Sequence, residues 1–591
     1  MENLNYGVIG NCKSAALISD KGEIVWLCLP DFNSPSVFAK LLDEKKGGSF
    51  AIEVDDSYTI KQSYIENTNI ISTLFQSGND AFEVIDFMPR FKTEEGDYFA
   101  PPDIIRYIKY ISGAPKARFI YNPKLYWAEH NTNTVIEDEY IKSYTTDGTY
   151  ESLYLYTNFD FNKIINGEEI TIDRDSYFLL SYNQKIEEMK LNKIYLKLQR
   201  TKVYWYNWVE RTYRLPKYNN EIIRSALILK LLTYQKSGAI LAAITTSVPK
   251  IIGGTYNWDY RYCWIREASM IIKILTSLGH TTGARRFLNF IVDITPGKDE
   301  KIQLVYGIKG EKSFNETTLD YLDGYLGSKP VRIGNSSFQY KQLDIYGVLM
   351  DVLYQNFQMY VYSQENAEEL WTIVRSIARI IDKNWQEVDF DIWDVSNEQS
   401  HFTFSKVLCW VAIDRAMKIA EKLGKTKYQN EWKNLADKIK DDIYKKAWND
   451  KLQSFTRAYG SEELDASNLL MESYGFIDAN DPKYISMVIK TKETLLHDGL
   501  LFRYRVKDFS QGNVSAFTVC VFWLIKSLAK IGRQAEAEQL FNEILKCSNH
   551  LGIFSEHIDF KTKRLLGNLP HGSTHLALIE AAIVLSKGEK N

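Results

Sequence analysis

The chain has 591 residues, and its 72 Lys+Arg against 75 Asp+Glu leave a net charge of −3, so no surplus of positive charge marks a nucleic-acid partner. Hydrophobic residues at 45% and charged residues at 25% are globular values that exclude a disordered or fibrous chain. No run of about 18 apolar residues would span a membrane, the opening MENLNYGVIG lacks a basic start and an apolar core, and six scattered cysteines without a CxxC pair suit reduced thiols in the cytoplasm.

In chain order, the first elements are strands. Asn67 to Phe75, Ala81 to Met88 and Ile104 to Ile111 are short runs rich in β-branched and aromatic residues. Turn formers such as Ser77-Gly-Asn-Asp80 and Ala100-Pro-Pro-Asp103 separate them. Similar runs continue to Ile194-Tyr-Leu-Lys-Leu198, and the lack of helical interludes predicts an antiparallel β-sandwich over residues 1–200. Residues 201–220 read as a linker. Beyond residue 220 the hydrophobic period becomes helical. About twelve helices are predicted, at 221–235, 268–280, 283–294, 343–357, 366–385, 404–424, 428–448, 466–477, 482–495, 515–532, 533–548 and 574–588, with ends good to roughly two to four residues. Their connections alternate between about 17–48 residues and about 0–8 residues. Helix pairs joined tightly at one end and loosely at the other stack side by side. Six such pairs would close into a double-layered (α/α)6 barrel over 221–591, with all long loops on one face. Loops beyond about 12–15 residues are usually functional, so that face is expected to carry the site.

The first long loop ends in Gly253-Gly-Thr-Tyr-Asn-Trp-Asp-Tyr-Arg-Tyr-Cys-Trp-Ile-Arg-Glu267. Trp258, Tyr260 and Trp264 offer faces that can cover the C–H side of a pyranose, while Asp259, Arg261, Arg266 and Glu267 offer directional bonds to hydroxyls. The alternative is an aromatic plug with a structural salt bridge. The third loop holds Asp389-Phe-Asp-Ile-Trp-Asp394. It lacks the glycine turn and bidentate Glu of a calcium loop. A carboxyl beside Trp393 has a different use, because apolar surroundings raise its pKa and keep it protonated as a general acid. The fifth loop carries Arg503 and Arg505, and the sixth carries Glu556, a candidate base. His571 and His575 have the i, i+4 spacing of a helical metal pair but lack the Glu of HExxH, so a helix-start cap is expected, with no metal and no other cofactor. Walker, GxGxxG and GxSxG motifs are missing from the sequence. Two carboxyls on one face of a ring fit an inverting glycosidase, in which Asp394 protonates the leaving oxygen and Glu556 activates water from the opposite side, about 6.5–9.5 Å away.

Several of these segments resemble a known family. Tyr6-Gly-Val-Ile-Gly10, Trp26-Leu-Cys-Leu-Pro-Asp-Phe-Asn-Ser-Pro-Ser-Val-Phe38, Asn257-Trp-Asp-Tyr-Arg-Tyr-Cys-Trp264, Gly327-Ser-Lys-Pro-Val-Arg332, Gln342-Leu-Asp-Ile-Tyr-Gly347 and His575-Leu-Ala-Leu-Ile579 resemble the glucoamylase-type glycoside hydrolases of family 15. The likeness is to the bacterial and archaeal arrangement that includes glucoamylases, glucodextranases and trehalases, and it spans nearly the whole chain. It implies an N-terminal β-sandwich, an (α/α)6 barrel, metal-free inversion at an α-linked glucose, and an α-glucoside oligosaccharide or disaccharide as substrate. By position Glu556 resembles the general base, Arg266 and Arg503 the arginines that hold the terminal glucose, and Trp393 the tryptophan lining that subsite. The chain departs from the family at Trp393-Asp394, where Trp-Glu is usual, and at Trp264-Ile-Arg-Glu267, where Trp-x-Arg-Asp is usual. Val514 stands where many relatives carry a carboxylate, and Glu398 is a substitute acid. The expected catalytic pair is Asp394 and Glu556, with Trp258, Tyr260, Trp264, Arg266, Glu267, Trp393 and Arg503 binding substrate. The activity expected first is glucoamylase-like release of glucose from non-reducing ends. The alternatives are trehalase, or a weak or silent sugar-binding paralogue if the two exchanged carboxylates mark a decayed site.

Overall fold

The change of hydrophobic period near residue 190 is a change of architecture: antiparallel sheets first, then helices. The computed structural model describes residues 3–187, 189–295, 302–360, 364–393, 399–504 and 515–587. Two large sheets form the first part. One runs in the order Tyr6–Gly10, Ala15–Ser19, Ile24–Cys28, Ser49–Glu53, Lys116–Asn122, Ile170–Thr171, with Ser36–Phe38 also on Ile24–Cys28. The other runs Thr132–Ile136, Ile141–Thr145, Ser152–Thr157, Ser176–Tyr182, Asp103–Ser112, Asp80–Phe87, Ile71–Ser77, Thr59–Tyr64.

Strands such as Ile24–Cys28 and Ser176–Tyr182 read as continuous apolar runs because both faces are covered. In the central strand Asp103–Ser112, Ile104 and Ile108 share a core with Ile18, Ile24 and Phe50 of the other sheet. Arg106, between them, is buried and bonds Asp86 and the carbonyl of Phe50. Ile105 and Tyr107 point the opposite way, onto helix α2 (Leu191–Val209). Likewise Ile9, Ala16 and Leu27 face the second sheet, whereas Val8, Leu17 and Trp26 join the core of the helical part.

Helix α2 overturns two expectations. Ile194 to Leu198 is helical, not a strand, and the stretch 201–220 read as a linker contains the second half of the same helix. Short α1 (Phe161–Asn166) precedes it. The remaining helices are α3 (Asn219–Leu231), α4 (Ile265–Ser277), α5 (Thr281–Ile294), α6 (Asp344–Met359), α7 (Gln364–Asn384), α8 (Thr403–Lys422) and α9 (Thr426–Ala447). After them come α10 (Pro482–Leu495), α11 (Val519–Lys530), α12 (Gln534–Leu545) and α13 (Gly572–Lys587). The helix predicted at 466–477 is a 3-10 segment, Ala466–Met471. The one predicted at 515–532 starts later, because Ser515–Phe517 is a strand paired with His557–Asp559.

Packing orders the helices. α4 lies against α6, α6 against α8, α8 against Ala466–Met471, that segment against α11, α11 against α13, and α13 back against α4. The neighbour relation closes on itself. α5, α7, α9, α10 and α12 each pack against one or more of these elements, and α3 packs on α13. Gly347 permits the closest crossing, since a Cβ there would lie 2.3 Å from the carbonyl oxygen of Leu408 on α8.

Candidate active site

A cavity of about 320 Å³ opens among the long loops at the N-terminal ends of α4 and α13 and runs inward past Met270, Phe404, Leu408 and Trp523. That is at the small end of ligand pockets, roughly 300–1,000 Å³. Trp258, Tyr260, Trp264, Arg266, Glu267, Trp393, Arg503 and Glu556 all line it. These eight residues come from four separate stretches of sequence. Asp394, the expected acid, lies outside the described residues, as do Glu398, Arg505 and Val514.

The backbone explains the selection within the first loop. Residues 242–247 and 258–262 run side by side, through Ala242 N to Tyr262 O, Ala243 N to Tyr260 O and Ser247 N to Trp258 O. In extended chain alternate side chains take opposite sides. Trp258, Tyr260 and Trp264 reach the cavity. Asp259 and Arg261 do not; they form a fully buried ion pair, with 2.7 Å between Arg261 Nη2 and Asp259 Oδ2. Arg261 Nη1 also donates to the carbonyl of Ser34, and Asp259 accepts from Gly334 N. These two charges are therefore structural and tie the loop to the sheets. Trp26 adds a second tie, its indole N–H donating to the carbonyl of Ile244 at 2.9 Å.

Glu556 is 1% exposed and sits just before the strand His557–Asp559. Its Oε1 accepts from the Tyr260 hydroxyl at 2.8 Å and lies 3.3 Å from both Lys250 Nζ and His557 Nε2. Burial alone would raise its pKa, but the positive charge of Lys250, with His557 and His571 nearby, holds it well below the usual carboxylate range. Burial in turn pulls His557 and His571 down to about 4 despite Glu556, so both imidazoles are neutral at pH 7 and the lysine supplies the charge. Gly567, with φ +75, backs onto this carboxylate; a Cβ there would lie 2.8 Å from Glu556 Oε2.

Across the cavity Arg266 is held on several sides. Its Nη1 donates to Gln342 Oε1 and Asp344 Oδ2, both at 2.8 Å, and its Nε donates to Glu267 Oε1 at 3.1 Å. Glu267 Oε2 is buried and has no hydrogen-bond partner among the described residues, so this part of the cavity wall carries an open acceptor. Trp393 donates its indole N–H to Asp465 at 2.9 Å and packs edge-on to Phe517, while the Arg503 guanidinium lies 5.8 Å from its ring centroid. The other two aspartates of that loop are engaged elsewhere. Asp391 pairs with Arg457 at 2.6 Å, and Asp389 bonds Ser405 and Leu343 N, with burial pushing its pKa up to about 7. His571, just ahead of α13, bonds Thr574 Oγ1, and His575 bonds Ser225 and the amide of Phe554, so neither imidazole faces the other as a ligand pair. Lys250, Glu316, Asn335, Tyr340 and His571 also line the cavity without having been singled out as substrate contacts. Only the tertiary fold brings Lys250 to Glu556.

Residues 216–583 match Glycosyl hydrolases family 15, and residues 4–158 match Trehalase-like, N-terminal. The chain belongs to glycosyl hydrolase family 15. It is 33% identical to the trehalase of Thermoplasma volcanium, covering 98% of this chain and 92% of that protein. It is 34% identical to the trehalase of Thermoplasma acidophilum, over 96% and 97%, and 32% identical to that of Mycolicibacterium smegmatis, over 99% and 91%. A bacterial glucoamylase in complex with acarbose shares the fold, with a TM-score of 0.72 at 13% identity over 99% of this chain and 94% of that one.

Proposed function

We propose that this family 15 hydrolase is a trehalase, cleaving α,α-trehalose to glucose with inversion. The glucoamylase-like activity expected first from the sequence gives way to the alternative, because the full-length relatives at 32–34% identity carry the name trehalase. The observation that carries a hydrolytic site at this cavity is Glu556: a buried carboxylate kept ionised, facing a hollow of disaccharide scale rimmed by tryptophan, tyrosine and arginine.

In this reading Glu556 takes a proton from water as the water attacks the anomeric carbon, and Asp394, next in sequence after Trp393, protonates the departing oxygen. Arg266, Glu267 and Arg503 bind hydroxyls of the sugar being attacked, and Trp258, Tyr260, Trp264 and Trp393 cover its apolar faces. The longer Glu267 and the shorter Asp394 compensate each other, shifting the sugar in its pocket. The two-sheet unit is read as a β-sandwich domain over 1–200, and the closed sequence of helices as the inner ring of an (α/α)6 barrel. Six unbridged cysteines fit a reducing cytoplasm; no described helix is long and apolar enough to cross a membrane.

Proton NMR of the first turnovers is the test. Inverting hydrolysis of α,α-trehalose gives one β-glucose and one α-glucose, and Glu556→Gln abolishes both. Faster turnover of maltose or isomaltose than of trehalose would refute the substrate assignment, and near-wild-type hydrolysis by Glu556→Gln would refute the site.

A further inference from the structure

A second cavity, of about 610 Å³, lies at the seam between the sheets and the helices. Its walls are α2, the hairpin of Phe91–Lys92 and Tyr98–Phe99, the C-terminal end of α3, and the tight turn from α4 into α5. It shares no lining residue with the candidate active site. Arg266, Glu267 and Met270 of α4 line the first cavity, whereas Ile272 and Leu275 of the same helix line the second. Arg266 and Leu275, nine residues apart on α4, lie roughly 14 Å apart along its axis at 1.5 Å per residue, while Met270 and Ile272 bring the two linings within two residues of each other.

The charge in this hollow is one-sided. Lys92, Arg200, Arg211, Lys230 and Arg286 line it, against a single carboxylate, Glu94. Elsewhere buried arginines are balanced by carboxylates: Arg415 by Asp351 and Asp414, Arg457 by Asp391 and Glu463. Among the described residues, none of these five cations forms an ion pair. Three of the charged groups meet aromatic rings instead, Lys92 and Arg286 beside Tyr98 (5.7 and 5.5 Å to the centroid) and Arg200 beside Phe91 (5.3 Å). The local field registers on the neighbours. Burial, with Arg90 and Arg286 close by, pulls Lys230 down to about 8, and burial with Lys230 and Arg211 pulls His280 down to about 3. α5 adds to the same sign. It begins at this wall with Thr281, Thr282 and Gly283, carries no acidic residue in its first turn, and has no side-chain cap, so its amide dipole end is left without an anion.

We infer that this cavity binds a small organic phosphate, the phosphate group meeting Lys230, Arg286 and the first turn of α5, and the sugar or nucleoside body lying among Tyr98, Tyr204 and Trp208. Phosphate at a helix N-terminus between basic side chains is held by several charge-assisted hydrogen bonds. The aromatic walls and the volume, larger than that of the first cavity, accommodate a body that free phosphate lacks. Because α4 runs from this cavity to the first, occupancy has a direct mechanical route to Arg266 and Glu267.

The test is titration calorimetry on the full chain with glucose 6-phosphate, AMP, inorganic phosphate and glucose, with sulfate at matched ionic strength. Saturable binding of glucose 6-phosphate or AMP is expected, roughly tenfold or more tighter than sulfate, and weakened roughly tenfold or more by Lys230→Gln with Arg286→Gln. The preferred one of the two identifies the body as sugar or nucleoside. Glu556→Gln retains this binding, and the double variant hydrolyses trehalose as wild type does when no phosphate ester is present. If that double variant fails to fold, Arg286→Gln alone, at a partly exposed position of α5, serves the same purpose. The inference is overturned if neither ester binds saturably, if sulfate or inorganic phosphate binds as tightly as both esters, if only a polyanion such as heparin binds, or if binding survives in the folded charge variants.

Discussion

Glu556 illustrates how a buried acid is kept charged. Desolvation favours its neutral form, and three neighbours oppose this: the Tyr260 hydroxyl, the amide of Asn568 at 3.4 Å and the Lys250 ammonium. Lys250 is the largest of the opposing influences, since His557 and His571 are neutral at pH 7. A base must be ionised to act, so the activity of the wild type is lost only as pH falls through a pKa well below the carboxylate norm. In Lys250→Met that pKa rises toward its desolvated value, and the acid limb of the kcat/KM profile moves to higher pH, while Lys250→Arg keeps it in place. An unchanged acid limb in Lys250→Met would show that another group sets the ionisation. No reading of the sequence singles out Lys250, because its role rests on a contact between positions 306 residues apart, whereas Glu556 was legible as a carboxylate in a long loop.

At the scale of elements, what was legible depends on whether a local pattern or a distant contact decides. The switch from period 2 to period 3.6 and the alternation of short and long connections were written in the sequence, and five of the long loops do converge on one cavity. Helix α2 was misread for a definite reason. Its Ile, Tyr, Val, Thr and Trp residues favour strands locally, yet its buried positions, Ile194, Leu198, Thr201, Trp205 and Val209, recur at helical spacing and it packs on the second sheet. In the first loop, the reverse: alternation along extended chain sends the aromatics to the cavity and Asp259 with Arg261 to the sheets. That pair is a buried tie, and removing one member leaves an uncompensated charge. Arg261→Met is expected to cost about 3–5 kcal/mol, and Asp259→Asn with Arg261→Met clearly less than the sum of the single changes. Urea denaturation of the four proteins checks this; additive losses would mean that the two side chains act independently.

At the scale of the whole molecule, the sheets serve the helices as a buttress. All lining residues of the candidate active site come from beyond position 240, yet the first sheet covers the helical core with Val8, Leu17 and Trp26 and anchors the first loop through Trp26 and Ser34. Burial at these seams gives the protein a pH dependence. His280 and His575 are pulled down by burial to about 3, and His557 and His571 to about 4. In the unfolded chain each takes a proton near pH 6.5, so below that pH the unfolded state binds more protons and stability falls until the folded pKa is reached. Asp389 works in the opposite direction: raised to about 7 when folded, it gains a proton on folding as pH falls from 7 toward its unfolded value of 3.8. Burial lowers His401 and His550 in the same sense and raises Asp86, Asp103, Glu151 and Asp465 in the sense of Asp389. The histidines, however, act from pH 6.5 downward, whereas each carboxylate acts only below its own raised pKa. Each histidine contributes at most about 1.4 kcal/mol per pH unit, so stability is expected to drop steeply from pH 6.5 to 5. Calorimetric Tm values at pH 7, 6 and 5 measure the balance, and a Tm that held level or rose on acidification would mean that these histidines are not neutral in the native protein.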